Sequence, residues 1–215
     1  MIKSSNPTQV KPTFVSIVNR LVYGIARHWL TIFNTLWGLY VLFPLLAPIL
    51  MATGLTTPAR IIYSVYSFAC HQLPDHSYFF FGSHLTPSLS QLEAAGMPSG
   101  LNFFQQRLFL GNDQIGFKSA ICQRDIAIYG AVFLGGIAYS YWGQRGRRIR
   151  WYVYILLLAP MAIDGTTQLI GLRESNWWLR TLTGMLFGLA TVWFAYPHIQ
   201  GAMDEALDEQ MIPLQ

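Results

Sequence analysis

The sequence predicts an all-α integral membrane protein of about four transmembrane helices, with a re-entrant or interfacial helix and an N-terminal amphipathic helix. Three observations carry that prediction. Of 215 residues, 53% are hydrophobic and 11% charged, whereas a soluble domain carries about 25% charged residues. Several apolar windows reach the roughly 20 residues needed to cross a hydrocarbon core about 30 Å thick. Trp and Tyr cluster near the ends of those windows, where interface anchors belong.

Residues 1–11 are polar, and after Pro12 the series Phe14, Ile17, Val18, Leu21, Val22, Ile25 recurs at helical spacing with Arg20 and Arg27 interleaved. That pattern predicts an interfacial amphipathic helix within a first unit, 1–28. A first span follows over 29–51 with Pro44 and Pro48 inside it; it is too long for a signal-peptide core and reads as a retained signal anchor. Residues 61–81 are apolar but are interrupted by Cys70-His71-Gln72-Leu73-Pro74-Asp75-His76. The segment therefore reads as re-entrant or interfacial, and a fifth span arises only if it crosses. Residues 82–120 are rich in Gly, Pro, Ser, Gln and Asn and read as a long loop with a short helix near 103–110. Three further spans are expected at 126–142, 151–172 and 178–196. Beyond Tyr196 the apolar run ends, and Pro197 and Gly201 let the chain turn into a tail carrying Asp204, Glu205, Asp208 and Glu209.

Orientation follows from charge. Residues 144–150 hold four arginines in a short connection, a cytoplasmic signature. With four spans both termini are cytoplasmic, and Lys3, Lys11, Arg20 and Arg27 join the loop arginines inside, eight of the fourteen Lys and Arg. The expected organisation is 1–28, a membrane domain over 29–197 with an extracytoplasmic or re-entrant region at 54–124, and an acidic cytoplasmic tail at 198–215. The location is the plasma membrane; the net charge of +4 points to anionic membrane lipids, and the Trp-rich spans are compatible with other membrane subunits as partners. No nucleic-acid motif is present.

On this topology the polar residues converge on the outer side. Cys70-His71-Gln72 lies outside, Cys122-Gln123-Arg124-Asp125 opens the second span, Asp164 and Gln168 sit one turn apart on the third, and Arg173, Asn176 and Arg180 fill the connection to the fourth. The set comprises Cys70-His71-Gln72 with Pro74 and Ser77, Cys122-x-Arg124 with Tyr129, and Pro160, Asp164, Gly165, Gln168, Gly171, Arg173, Ser175, Asn176, Arg180 and Gly184 in order. It resembles the predicted prokaryotic membrane proteins grouped as domain of unknown function number twenty eighty-five, over about 64–188. Two departures stand out: the family pattern reads Cys-x-Arg-Cys where this chain has Asp125, and it favours Arg where this chain has His76.

Two readings of the cysteines stand side by side. Cys70 and Cys122 form an extracytoplasmic disulfide, or Cys70, His71, Cys122 and Asp125 hold a metal such as Zn. Asp164, an ionisable group inside a membrane helix, is either a functional residue or half of an ion pair with Arg124 or Arg180. A membrane-embedded enzyme would use Asp164 and His71 as acid and base, with Arg124, Arg173, Arg180, Gln168 and Asn176 gripping an anionic lipid-like substrate. The alternative is a non-catalytic subunit or assembly factor of a larger membrane complex, with the cysteines as a structural disulfide. Thiol to quinone electron transfer lacks its paired cysteine, and a transporter lacks a visible inverted repeat. His28, His76, His84 and His198 read as polar loop or interface residues. Gly130, Gly135, Gly136, Gly184 and Gly188 read as sites of close helix packing.

Overall fold

Long apolar runs become long helices here, and the glycine-rich stretch between them becomes a small sheet. A computed structural model describes residues 14–142 and 148–211, and they are mostly helical. In chain order the elements are α1 (Phe14–Ala52), α2 (Thr56–Tyr66), a 3₁₀ turn at Pro74–His76, β1 (Phe79–Phe80), α3 (Leu89–Ala94) and α4 (Phe103–Gln106). After them come β2 (Gly111–Asn112), β3 (Gly116–Lys118), α5 (Gln123–Trp142), α6 (Trp151–Leu169) and α7 (Trp177–Met211).

The amphipathic segment and the first span, expected as separate elements, form one 39-residue helix, α1. Nothing between them breaks a helix. The only prolines lie further on, where each removes an N–H: Pro44 cannot donate to the Tyr40 carbonyl, and Pro48 cannot donate to that of Pro44. Both freed carbonyls find donors outside α1. Tyr66 Oη donates to the Tyr40 oxygen at 2.9 Å, and the Ala120 N–H donates to the Pro44 oxygen at 3.1 Å. The helix therefore passes both prolines with its backbone satisfied.

α7 packs along α5, with α6 and α1 against it and α1 also touching α5 and α2. Small residues set that approach. A Cβ at Gly184 would lie 2.9 Å from that of Ala127, and one at Gly188 would lie 2.4 Å from the Ile128 carbonyl oxygen. The Gly184-x-x-x-Gly188 seam thus brings two backbones together, and Gly135 and Gly136 also face packed neighbours, whereas Gly130 faces open space. Beneath the seam, Trp29, Val132, Tyr139, Val192 and Tyr196 form the main core.

The expected turn at Pro197 does not occur, because α7 runs on to Met211. Its apolar stripe outlasts Tyr196: Ile199 and Met203 pack on the same core, and Trp29 Nε1 donates to Gln200 Oε1 at 3.0 Å. Of the arginine loop, Arg148 reaches the α7 backbone near Gly201. Arg145 and Arg147 lie outside the described residues, as do Lys3 and Lys11.

By length and composition alone, α1 over Ser16–Ala52 and α7 over Trp177–Glu209 are the two helices among the described residues apolar enough to cross a membrane. Four spans are thus not supported by that measure. α5 and α6 have 20 and 19 residues, but Arg124 and Asp125 in one and Asp164 and Gln168 in the other lower their apolar content. Residues 61–81 hold no long helix: α2 has 11 residues and ends at Tyr66.

The segment expected as loop is a folded cap. β1 and β2 flank β3 in an antiparallel sheet, with Phe79 opposite Lys118 and Gly111 opposite Phe117. Gly116 has φ +85°, and a Cβ there would sit 2.3 Å from the Phe80 carbonyl oxygen, so only glycine fits. Phe79, Leu92, Ala95, Met97 and Ile115 give the cap its own apolar core.

Candidate functional site

The site is built where the cap meets the ends of α5, α6 and α7. Its first piece is the Cys70-His71-Gln72 turn. Gln72 has φ +53°, strained for a residue with a side chain, and it is held there by hydrogen bonds. Its buried Nε2 donates to the carbonyls of Tyr63 at 2.9 Å and Ala120 at 2.8 Å, while its own carbonyl accepts from Lys118 Nζ at 2.7 Å. This locks the turn over the start of α5.

Cys70 and Cys122 come together as buried free thiols, and the Cys122 N–H donates to Cys70 Sγ at 3.2 Å. Asp125 joins them, so that two sulfurs and a carboxylate oxygen lie within 4.8 Å of one another. The Cys70 hydrogen bond and burial push the Cys122 thiol well above its ordinary range. Such a cluster cannot hold much negative charge without a cation to compensate it. The donor set suits a borderline-soft divalent ion such as zinc, and it stops at three.

His71 does not complete the set. Its Nδ1 accepts the Leu73 N–H at 3.1 Å, which places the proton of the neutral ring on Nε2, where it blocks ligation. Burial, followed by the neighbouring His76, lowers the His71 pKa to about 4, so the ring is neutral at pH 7. Nδ1 is engaged and Nε2 is protonated, which leaves a hydrogen-bond donor rather than a general base.

A second network runs beside the first. His76 Nδ1 pairs with Asp75 Oδ1 at 2.8 Å, and His76 Nε2 meets Gln168 Nε2 at 2.6 Å. Gln168 Oε1 accepts from Arg124 Nη2 at 3.1 Å. The neutral arrangement has one direction: Arg124 donates to Gln168, Gln168 to His76, and His76 to Asp75. Burial pushes the Asp75 carboxyl up, but its pairing with His76 and the nearby Arg180 charge hold it below its ordinary value.

Asp164 is the hub of the third piece. It is 1% exposed, and its two oxygens accept from Arg124 Nη2 and Arg173 Nη2, each at 2.7 Å. The ion pair expected with Arg124 or Arg180 is a triad with Arg124 and Arg173. Arg180 instead donates to Gln123 Oε1 at 3.2 Å and the Asp75 carbonyl at 3.4 Å.

A cleft of about 700 Å³ opens onto this assembly, lined in part by Cys70, His71, Cys122, Asp125, Gln168 and Arg180. Arg124 also lines it. Asp164, Arg173 and Asn176 do not, and Asn176 lies exposed beyond it. Asp164 is spent on its arginines and faces no substrate space. Three acids, Asp75, Asp125 and Glu174, line the cleft against two arginines, Arg124 and Arg180. That balance suits a cation better than the anionic group expected there.

Sequence reasoning missed Asp75 and His76. His28, His84 and His198 are exposed, but His76 is buried within the network. The available signal was its place in the Cys70–His76 polar run, beside Asp75, which directly follows Pro74.

A helical membrane protein with a polar site at one end of its bundle is the class these features define. The chain belongs to the family described as Predicted membrane protein (DUF2085), whose sequence model matches residues 112–194. An uncharacterized protein of Methanocaldococcus jannaschii is 35% identical over 139 residues, which cover 63% of this chain and 67% of that relative. No solved structure matches the chain.

Proposed function

We propose that this chain is a four-span membrane protein whose outward-facing cleft binds a divalent metal at Cys70, Cys122 and Asp125 and works as a metal-dependent enzyme. The observation that carries the reading is the meeting of two thiols and a carboxylate at the cleft. Three protein ligands and open space on the fourth side are the pattern of a catalytic rather than a structural zinc site. His71 Nε2–H and Arg180 would face whatever binds beside the ion.

Four spans are supported by how α6 distributes its residues. Asp164 is its one buried residue, while Ile155, Leu156 and Ile163 are 56%, 70% and 61% exposed. An inside-out helix of this kind is stable with lipid outside it and costly in water. α5 has the matching length and shares the seam with α7. The arginine loop then lies in the cytoplasm with both termini, and the cap lies outside.

Metal analysis of protein purified without chelators, together with thiol counting after denaturation, tests the site. The reading expects one zinc-class ion per chain, lost in Cys122→Ser and reduced in Asp125→Asn. Protein with no metal and no free thiol would instead have a Cys70–Cys122 disulfide, and the enzyme reading would fall. The Asp164 triad favours one second reading. A carboxylate wholly spent on tying α5, α6 and the α6–α7 connection together suits a structural subunit of a larger membrane complex.

A further inference from the structure

A second cleft, of about 870 Å³, opens on the other side of α4. Its chemistry is the reverse of the first. Arg60 and Arg107 line it, and no carboxylate does. Lys118 lies directly beneath, fully buried, with Nζ donating to the Gln72 and Arg107 carbonyls at 2.7 and 2.6 Å. Arg107 Nη2 is anchored on the Ser67 carbonyl at 2.7 Å, while Arg60 is exposed and has no hydrogen-bond or ion-pair partner among the described residues. Hydroxyls of Ser64 and Ser67 share the lining. Apolar side chains share the lining: Phe104 and Leu108, which flank Arg107 in sequence, are 69% and 76% exposed, and Met51, from the end of α1, joins them.

Cations with no carboxylate beside them and uncovered apolar side chains in the same cleft describe an amphiphile, not a small hydrophilic anion. We infer that this cleft binds a phosphate-bearing lipid, its head group against Arg60 and Arg107 and the start of its acyl chains along Phe104 and Leu108. Met51, at the end of α1, places the cleft at the membrane boundary, so a lipid enters sideways from the bilayer. The inference needs only that α1 crosses the membrane and does not depend on a metal in the other cleft. It gives the arginine-based recognition of an anionic lipid to residues other than Arg124 and Arg173, whose guanidinium groups Asp164 already holds.

The test uses the full chain in phosphatidylcholine nanodiscs, with binding of short-chain phosphatidic acid, short-chain phosphatidylcholine and inorganic phosphate measured separately. Phosphatidic acid should bind about tenfold more tightly than either other probe, the worth of roughly one charge-assisted contact. Arg60→Gln should remove most of that difference. Leu108→Ser should weaken phosphatidic acid binding and leave phosphate binding unchanged. Arg20→Gln, an equal charge change on the exposed part of α1, should alter nothing. Arg60 is exposed and unpartnered, so its variant should fold normally, and an unchanged melting temperature checks this. Equal binding of phosphatidic acid by the parent and Arg60→Gln would overturn the inference. Inorganic phosphate binding as tightly as phosphatidic acid would overturn the lipid assignment.

Discussion

Asp164→Asn should unfold the cap end of the bundle before it affects anything else. The substitution keeps the shape of the side chain and removes the charge that two arginines share. One Asn oxygen still accepts from one guanidinium, but the amide group meets the other donor to donor. Breaking a buried pair costs about 3–5 kcal/mol. The Arg173 side chain is 39% exposed and that of Arg124 is 22% exposed, so water replaces much of the Arg173 contact and the loss falls near the low end, about 3 kcal/mol. At about 2–4 °C per kcal/mol for a chain of this size, Tm should fall by about 6–12 °C in a detergent or nanodisc thermal shift assay. Arg124→Gln should cost more than Arg173→Gln, and the Asp164→Asn/Arg124→Gln double variant should show coupling of more than about 0.5 kcal/mol. Asp113→Asn, in an exposed position, supplies the baseline. A Tm change in Asp164→Asn no larger than that of Asp113→Asn would refute the triad as the tie between these helices.

Three further outcomes follow from the fold. Gly188→Ala should destabilise by about 1–3 kcal/mol through overpacking, since its Cβ would lie 2.4 Å from the Ile128 oxygen, while Gly130→Ala in open space should be neutral; equal melting temperatures would contradict the seam. Tyr66→Phe should cost about 1–3 kcal/mol because it strips the donor from the Tyr40 carbonyl, and the cost should shrink in a Pro44→Ala background, where the backbone N–H returns; an unchanged cost would show that the bond matters little. Lys118, whose pKa burial and Arg107 lower to about 7, binds fewer protons folded than unfolded above that value. Its contribution therefore makes stability rise with pH between about 7 and 9, by no more than about 1.4 kcal/mol per unit, and Lys118→Met should flatten that rise; a parent protein with no rise would contradict it.

The helical skeleton was legible because periodicity and hydropathy act locally. α5, α6 and α7 were expected from apolar runs bounded by aromatic residues, and the convergence of Cys70 with Cys122 followed from placing both on one side of the membrane. What was not legible depends on partners far away in sequence. α1 looked divided because its first half reads as interfacial, and only packing shows it as one helix. The 82–120 stretch looked like loop because its strands have two or three residues each, too short for any alternation to register. Asp75 was one polar residue in the run from Cys70 to His76, and Lys118 fell within the 82–120 stretch read as loop. The first is enclosed by His76 and Arg180, the second by two carbonyls 11 and 46 residues away.

The two prolines of α1 carry a consequence for how the protein is made. α1 is made before Tyr66 and Ala120, so the carbonyls of Tyr40 and Pro44 begin life without donors. An unpaired carbonyl in hydrocarbon costs several kcal/mol, and the helix cannot satisfy either one by itself. Their donors arrive only when α2 has docked and the chain after β3 has reached the start of α5. The order of synthesis thus makes the folded cap the final fastener of the first helix, and a chain whose cap fails to form leaves the Pro44 carbonyl without its donor.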